Sequence, residues 1–187
     1  MNQFKKFLAL SVSTAALIFA GQHSVAQDGK KSSIYEISAD SLSGKVDFSK
    51  FKGKPILITN TASGCGYTPQ LGDLQKVHEK YSKKGLVDLG FPTNDFNQEK
   101  LSDVKVGEFC KRNYGVSFTM YKKIHVNGDN RHKLYQFLVG NDPTDQGNIG
   151  WNFEKFLVDK TGKVVGRYGS SVNPQDSAIT EKIESSL

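Results

Sequence analysis

Apolar residues along this chain fall into short runs and stripes separated by polar turns, and their spacing predicts alternating strands and helices. Ile34-Tyr35-Glu36-Ile37 and Lys45-Val46-Asp47-Phe48 alternate with period two, which predicts an N-terminal hairpin. Gly53-Lys54-Pro55 interrupts the pattern. Ile56-Leu57-Ile58-Thr59-Asn60 is an apolar run of strand length, expected to be buried on both faces. A small-residue loop from Thr61 to Thr68 follows. Leu71, Leu74, Val77, His78 and Tyr81 then share one stripe of a helix from about Pro69 to Lys83. Pro69 suits its first turn and Gly85 its stop.

Leu86 to Phe91 reads as a second buried strand, with Asp88 as an unusual member. Ser102 is placed to cap a second helix that carries Val106, Phe109 and Cys110 on one face and ends at Gly115. Phe118 to Val126 is strand-like, Asn127-Gly128-Asp129 a turn, and His132 to Val139 a short helix. Phe153 to Val158 and Val164 to Tyr168 flank Asp159-Lys160-Thr161-Gly162, a hairpin signal. Asn173-Pro174 opens a last helix reaching about Ser185. The expected architecture is α/β, with a right-handed parallel crossover in its first part. It matches a thioredoxin-like fold, a central mixed sheet flanked by helices, with an added N-terminal β-hairpin.

The N-terminus departs from this rhythm. Lys5-Lys6, an apolar run from Phe7 to Ala20 and the small-x-Ala site Ser24-Val25-Ala26 read as a cleaved signal peptide over residues 1–26, hence a secreted or periplasmic protein. The run is too short and too rich in Ser and Thr for stable membrane insertion. Residues 27–187 are expected to be a single domain, preceded by a polar arm up to Ser33. Losing Lys5 and Lys6 lowers the net charge from +6 to +4. The lysines are scattered, as on a solvated surface, which excludes a nucleic-acid groove.

Cys65 and Cys110 are the two cysteines. In an exported protein they could form a structural disulfide or a reactive pair. Cys65 follows a predicted buried strand and precedes a predicted helix, where open amides and the helix dipole favour an anion. A thiolate there is a nucleophile. Cys110 on a helix face beside Phe109 also suits plain core packing. Gln98 alone reads as a solvated loop residue, Trp151 as core and Asn152 as a turn residue. His78, His125 and His132 have no metal-ligand spacing, no phosphate loop or dinucleotide fingerprint occurs, and no cofactor is expected.

Several segments carry a closer resemblance. These are Asn60-Thr61-Ala62-Ser63-Gly64-Cys65-Gly66-Tyr67-Thr68, Gly90-Phe91-Pro92-Thr93-Asn94-Asp95-Phe96, and Trp151-Asn152-Phe153-Glu154-Lys155-Phe156-Leu157-Val158-Asp159. Tyr114-Gly115-Val116-Ser117-Phe118, with Lys123-Ile124-His125-Val126-Asn127-Gly128, adds a fourth. In this order they resemble the glutathione peroxidases, in the branch that uses cysteine rather than selenocysteine. Asp95 stands where that family often has Gln, and Thr119 where it usually has Pro.

The resemblance implies a cluster of Cys65, Gln98, Trp151 and Asn152, with Cys65 attacking the peroxide. Only Asn97 separates Phe96 from Gln98, one residue fewer than is usual in the family. The segment Phe109 to Val116 resembles the version in which Cys110 resolves a Cys65 sulfenic acid. The implied partners are a hydroperoxide substrate and, as reductant, a thioredoxin-like protein or glutathione. The insertion that makes tetramers in some relatives is missing, so a monomer is expected. The alternatives are a peroxide-sensing redox relay and a thiol–disulfide oxidoreductase of the same fold. The second normally needs two closely spaced cysteines, and Thr68 occupies that place.

Overall fold

The protein is described from a computed structural model, and the described residues are Met1 and 33–187. The expected signal segment, its cleavage point and the polar arm up to residue 32 lie outside the described residues. Chain order from Ser33 begins with a 3-10 turn at Ile34–Glu36, capped by the Ser33 hydroxyl, which accepts from Tyr35 N. The hairpin comes next, as β1 (Ser38–Ser41) and β2 (Gly44–Asp47). The period-two signal was thus right in type and displaced in place. Ser33 offers its oxygen to the Tyr35 amide, so the chain coils at Ile34, and pairing starts only at Ser38↔Asp47.

β3 (Ile56–Thr61) is buried at all six positions. It leads through the loop 62–69 into α1 (Gln70–Tyr81), then β4 (Val87–Pro92) and α2 (Asp103–Tyr114). β5 (Thr119–Met120) follows, then α3 (Lys133–Gly140), β6 (Lys155–Val158), β7 (Val164–Tyr168) and α4 (Ser177–Ser186). The strand expected from Phe118 to Val126 contracts to two residues. Beyond Met120 the chain divides its bonds between β4 and the hairpin: Tyr121 N donates to Gly90 O at 2.9 Å and Ile124 N to Pro92 O at 3.0 Å, while Ser41 bridges Tyr121 and Lys122 N donates to Asp40 O at 2.8 Å. The last helix begins four residues after the Asn173 expected to open it, because Asp176 supplies the cap to Ala178 N.

The five-stranded sheet has the order β5-β4-β3-β6-β7. β3, β4 and β5 run parallel, while β6 pairs antiparallel with both β3 and β7, so the sheet is mixed. Each face carries its own core. Ile56, Ile58, Phe91 and Phe156 pack with Leu134, Tyr135 and Leu138 of α3. Leu57 and Leu157 pack with Leu71, Leu74 and Val77 of α1, Val106 and Cys110 of α2, and Ile179 and Ile183 of α4. Asp88, the polar intruder in β4, is matched across the second face: His78 Nδ1 lies 2.8 Å from Asp88 Oδ2. β3 therefore delivers its C-terminal end, and the loop beyond it, between two packed layers. Among the described residues no helix is long and apolar enough to cross a membrane.

Candidate active site at the end of the central strand

Cys65 sits in the loop from β3 to α1 and is only 7% exposed. Thr68 folds this loop. Its hydroxyl oxygen accepts from Cys65 N at 3.1 Å and, with one proton to give, lies 2.8 Å from Ala62 O and 2.7 Å from Cys65 O. The residue that argued against a disulfide-exchange motif is thus the staple of the loop. The helix end does not present its amides to the sulfur as expected. Gln70, Leu71 and Gly72 already donate to the carbonyls of Tyr67, Thr68 and Pro69. The amide that reaches Sγ is that of Tyr67, at 3.4 Å.

Gln98 reaches this loop through its main chain: its carbonyl accepts from Gly64 N at 3.0 Å. A Cβ added at Gly64 would meet that oxygen at 2.9 Å, so the contact needs glycine. Asn97 makes the approach possible. Its φ of 60 turns the chain sharply between Phe96 and Gln98, a conformation Asn tolerates. The side chain of Gln98 accepts from Asn152 Nδ2 at 3.0 Å. Asn152 is fully buried, and its Oδ1 has no partner among the described residues.

Asn152 is held by a clamp on Asn60, a residue of β3. Asn60 Nδ2 donates to Trp151 O at 3.0 Å, and Asn60 Oδ1 accepts from Glu154 N at 2.9 Å. Asn60 O accepts from Phe153 N at 2.7 Å. These bonds over-determine the turn enough to keep Phe153 at φ 65, an unfavourable region for an aromatic residue. Trp151 is not buried core. It is 40% exposed, and its ring rests against Phe96 at 5.2 Å between centroids. The structure thus gathers the Cys65 loop, Gln98 and Asn152 through hydrogen bonds. It places Trp151 beside Asn152 on the outer side.

Cys110 faces inward from α2 at 2% exposure and belongs to the same core layer as Cys65, yet both thiols are free. Burial first, and the negative charge of Glu99 second, push its thiol up to about 12, so it is protonated at neutral pH. Asn60 and Thr68 lay inside a segment already singled out, but their clamping roles were not foreseen. Glu99, 1% exposed and bonded to Ser63, was missed altogether. A charged residue in a polar loop gives no signal that it will be buried. Among the described residues no group of three or more His, Cys, Asp or Glu could hold a metal. A cavity of about 560 Å³ lies away from this cluster, between the hairpin, α2 and β5, and Cys65 is not among its lining residues.

Comparison with known proteins agrees with the sequence segments. A family model described as "Glutathione peroxidase" matches residues 34–139. A glutathione peroxidase of Lactococcus lactis subsp. cremoris is 46% identical over 145 residues, 76% of this chain and 92% of that protein. The glutathione peroxidase-like peroxiredoxin 2 of Saccharomyces cerevisiae is 45% identical over 159 residues, 83% of this chain and 97% of that one. Among solved structures, GPX1 of T. cruzi superposes with a TM-score of 0.67 at 31% identity, covering 83% of this chain and 96% of the other. A thioredoxin family protein from Chlorobium tepidum TLS shares the fold at a TM-score of 0.60 and 15% identity, covering 85% of this chain and 98% of the other.

Proposed function

The chain belongs to the glutathione peroxidase family, and on that premise we propose that it is a thiol peroxidase reducing hydrogen peroxide and organic hydroperoxides through Cys65. The supporting observation is the linkage around one sulfur. Tyr67 N–H donates to Sγ, and the adjoining Gly64 is bonded to Gln98, which in turn holds Asn152. In the first step the Cys65 sulfur attacks one peroxide oxygen. The S–O bond forms, the O–O bond breaks, and the departing oxygen takes a proton and leaves as water or an alcohol. The sulfur is oxidised to the sulfenic acid and the peroxide is reduced by two electrons. Neutral donors suit this step, because they stabilise charge on the departing oxygen without competing for it. Gln98, Asn152 and the Trp151 indole are assigned that role.

In the second step Cys110 gives up its proton and attacks the Cys65 sulfur. The S–S bond forms, the S–O bond breaks and water leaves. An external dithiol protein of thioredoxin type, or glutathione, then reduces the disulfide. The names of relatives point both ways: one is a glutathione peroxidase and another a glutathione peroxidase-like peroxiredoxin. The presence of Cys110 on the neighbouring helix supports the dithiol. We also propose that the chain is exported, with residues 1–26 removed, on the strength of the basic, apolar and small-residue pattern there.

A peroxide-consumption assay with each reductant tests this reading. Cys65→Ser abolishes consumption. Cys110→Ser consumes one equivalent and then fails with the dithiol protein. Full dithiol-driven turnover in Cys110→Ser refutes the resolving role, and residual turnover in Cys65→Ser refutes the whole assignment.

A further inference from the structure

We propose that Glu99 is a positioning residue that times the second step: its carboxylate latches the Cys65 loop to the lead-in of α2 and must let go before Cys110 can meet the oxidised Cys65. The inference rests on the two-cysteine cycle above. Glu99 is 1% exposed, and its charge is met by N–H and O–H donors. Oε2 accepts from Ser63 N at 2.8 Å, and Oε1 accepts from Ser63 Oγ at 2.7 Å and from Leu101 N at 3.1 Å. Its own amide is tied to Asn94 Oδ1 at 3.1 Å. Ser63 stands two residues before Cys65, and Leu101 two residues before Asp103, where α2 begins. One carboxylate therefore joins the two segments that have to move relative to each other.

The need for movement follows from Cys110. It lies on the buried side of α2, and an inward-facing helical thiol must leave its layer to reach disulfide geometry with another residue. α2 is suited to yield. It buries only Val106 and Cys110 and contains Gly107, and Ser102 makes no side-chain cap bond. Its entry is held from two sides: Lys123 N donates to Asp103 Oδ1 at 2.9 Å and Lys123 Nζ to Leu101 O at 2.6 Å, and the Glu99 knot is the tie that reaches the Cys65 loop. The same carboxylate acts a second way, because its charge opposes loss of the proton from Cys110. Mechanical and electrostatic effects thus both delay the S–S bond, while the first step at Cys65 needs neither to change.

Glutamine at this position removes the charge and offers one acceptor oxygen where two are used. The test is a quenched-flow time course on the full chain. Reduced protein receives one equivalent of hydrogen peroxide, is trapped with an alkylating agent, and is read by mass spectrometry as thiol, sulfenic acid or disulfide. Glu99→Gln is expected to form the Cys65–Cys110 disulfide about tenfold faster, the scale of losing a hydrogen bond to a charged group. The first step, read in the Cys110→Ser background, should change by less than about twofold, since no Glu99 bond reaches the sulfur. In the Cys65→Ser background the pH midpoint of Cys110 alkylation should fall in Glu99→Gln, whereas mere loosening of α2 raises the rate alike at every pH. Ser63→Ala keeps the carboxylate but loses one of its bonds. It is expected to accelerate disulfide formation by a smaller factor without moving that pH midpoint, and it carries the test if Glu99→Gln does not fold.

Unchanged or slower disulfide formation in the variants overturns the latch while leaving the cycle intact. Absence of any peroxide-dependent disulfide in the wild type overturns both.

Discussion

Arg167 is buried, at 1% side-chain exposure, and its guanidinium makes four hydrogen bonds and a further close ion-pair contact. Nε and one terminal nitrogen grip Glu154 at 2.8 and 2.7 Å, and the other terminal nitrogen meets Asp142 at 2.8 Å. The carbonyls of Gly147 and Asn148 take the rest, each at 2.8 Å. The guanidinium also lies over the Phe156 ring. The consequence reaches the site, since the second oxygen of Glu154 accepts from Gly150 N and Trp151 N. Arg167→Met strands two buried carboxylates and is expected to cost about 3–5 kcal/mol. The corresponding loss is roughly 10 °C in melting temperature, read by thermal unfolding. Arg167→Lys should not restore it, because a point charge cannot reproduce the fork. The sequence showed Trp151 and Asn152 through their segment, but not Arg167. Its partners lie 13 and 25 positions away, and an arginine in a predicted hairpin strand gives no hint of burial.

α2 is where the sequence reading and the physical outcome are closest. Its start after Ser102, its stop at Gly115 and the inward side of Cys110 were all legible, because boundary residues and periodicity are local signals, although the Ser102 side chain makes none of the cap bond expected of it. What was not legible is the state of Cys110. Its thiol, raised from 9.0 to about 12, binds its proton more tightly in the folded protein than in the unfolded chain. That contribution is fully present below pH 9 and is lost as pH rises toward 12. Wild type should therefore lose melting temperature between pH 8 and pH 10.5 more steeply than Cys110→Ala, with buried tyrosines such as Tyr121 giving both proteins a common slope. Parallel curves would show that the proton is not bound more tightly on folding. The short elements were read less well. Ile34 to Ile37 alternates as a strand does, yet a single serine oxygen coils it. Phe118 to Val126 has strand composition but keeps a strand register at only two residues, because the next hydrogen bonds are split between β4 and the hairpin. Side-chain capping and competition between partners are tertiary facts that residue spacing does not carry.

At the scale of the whole molecule, the sheet divides the apolar interior into two layers, and the proposed chemistry belongs to one of them. Cys65, Cys110, α1, α2 and α4 share a layer, while α3 and the aromatic group around Phe48, Phe91 and Tyr121 form the other. Oxidation by one equivalent of peroxide is expected to raise amide exchange in α2 and in residues 94–101, and to leave α3 at its reduced-state protection. Equal loss of protection on both faces, followed by hydrogen–deuterium exchange, would contradict a movement confined to one layer. The clamp on Asn60 has a further consequence. It holds Trp151 half-open to solvent beside Asn152 and against Phe96, and the chain contains no other tryptophan. The intrinsic indole fluorescence of the protein is thus light from a single address at the rim of the site, a native optical gauge that needs no dye.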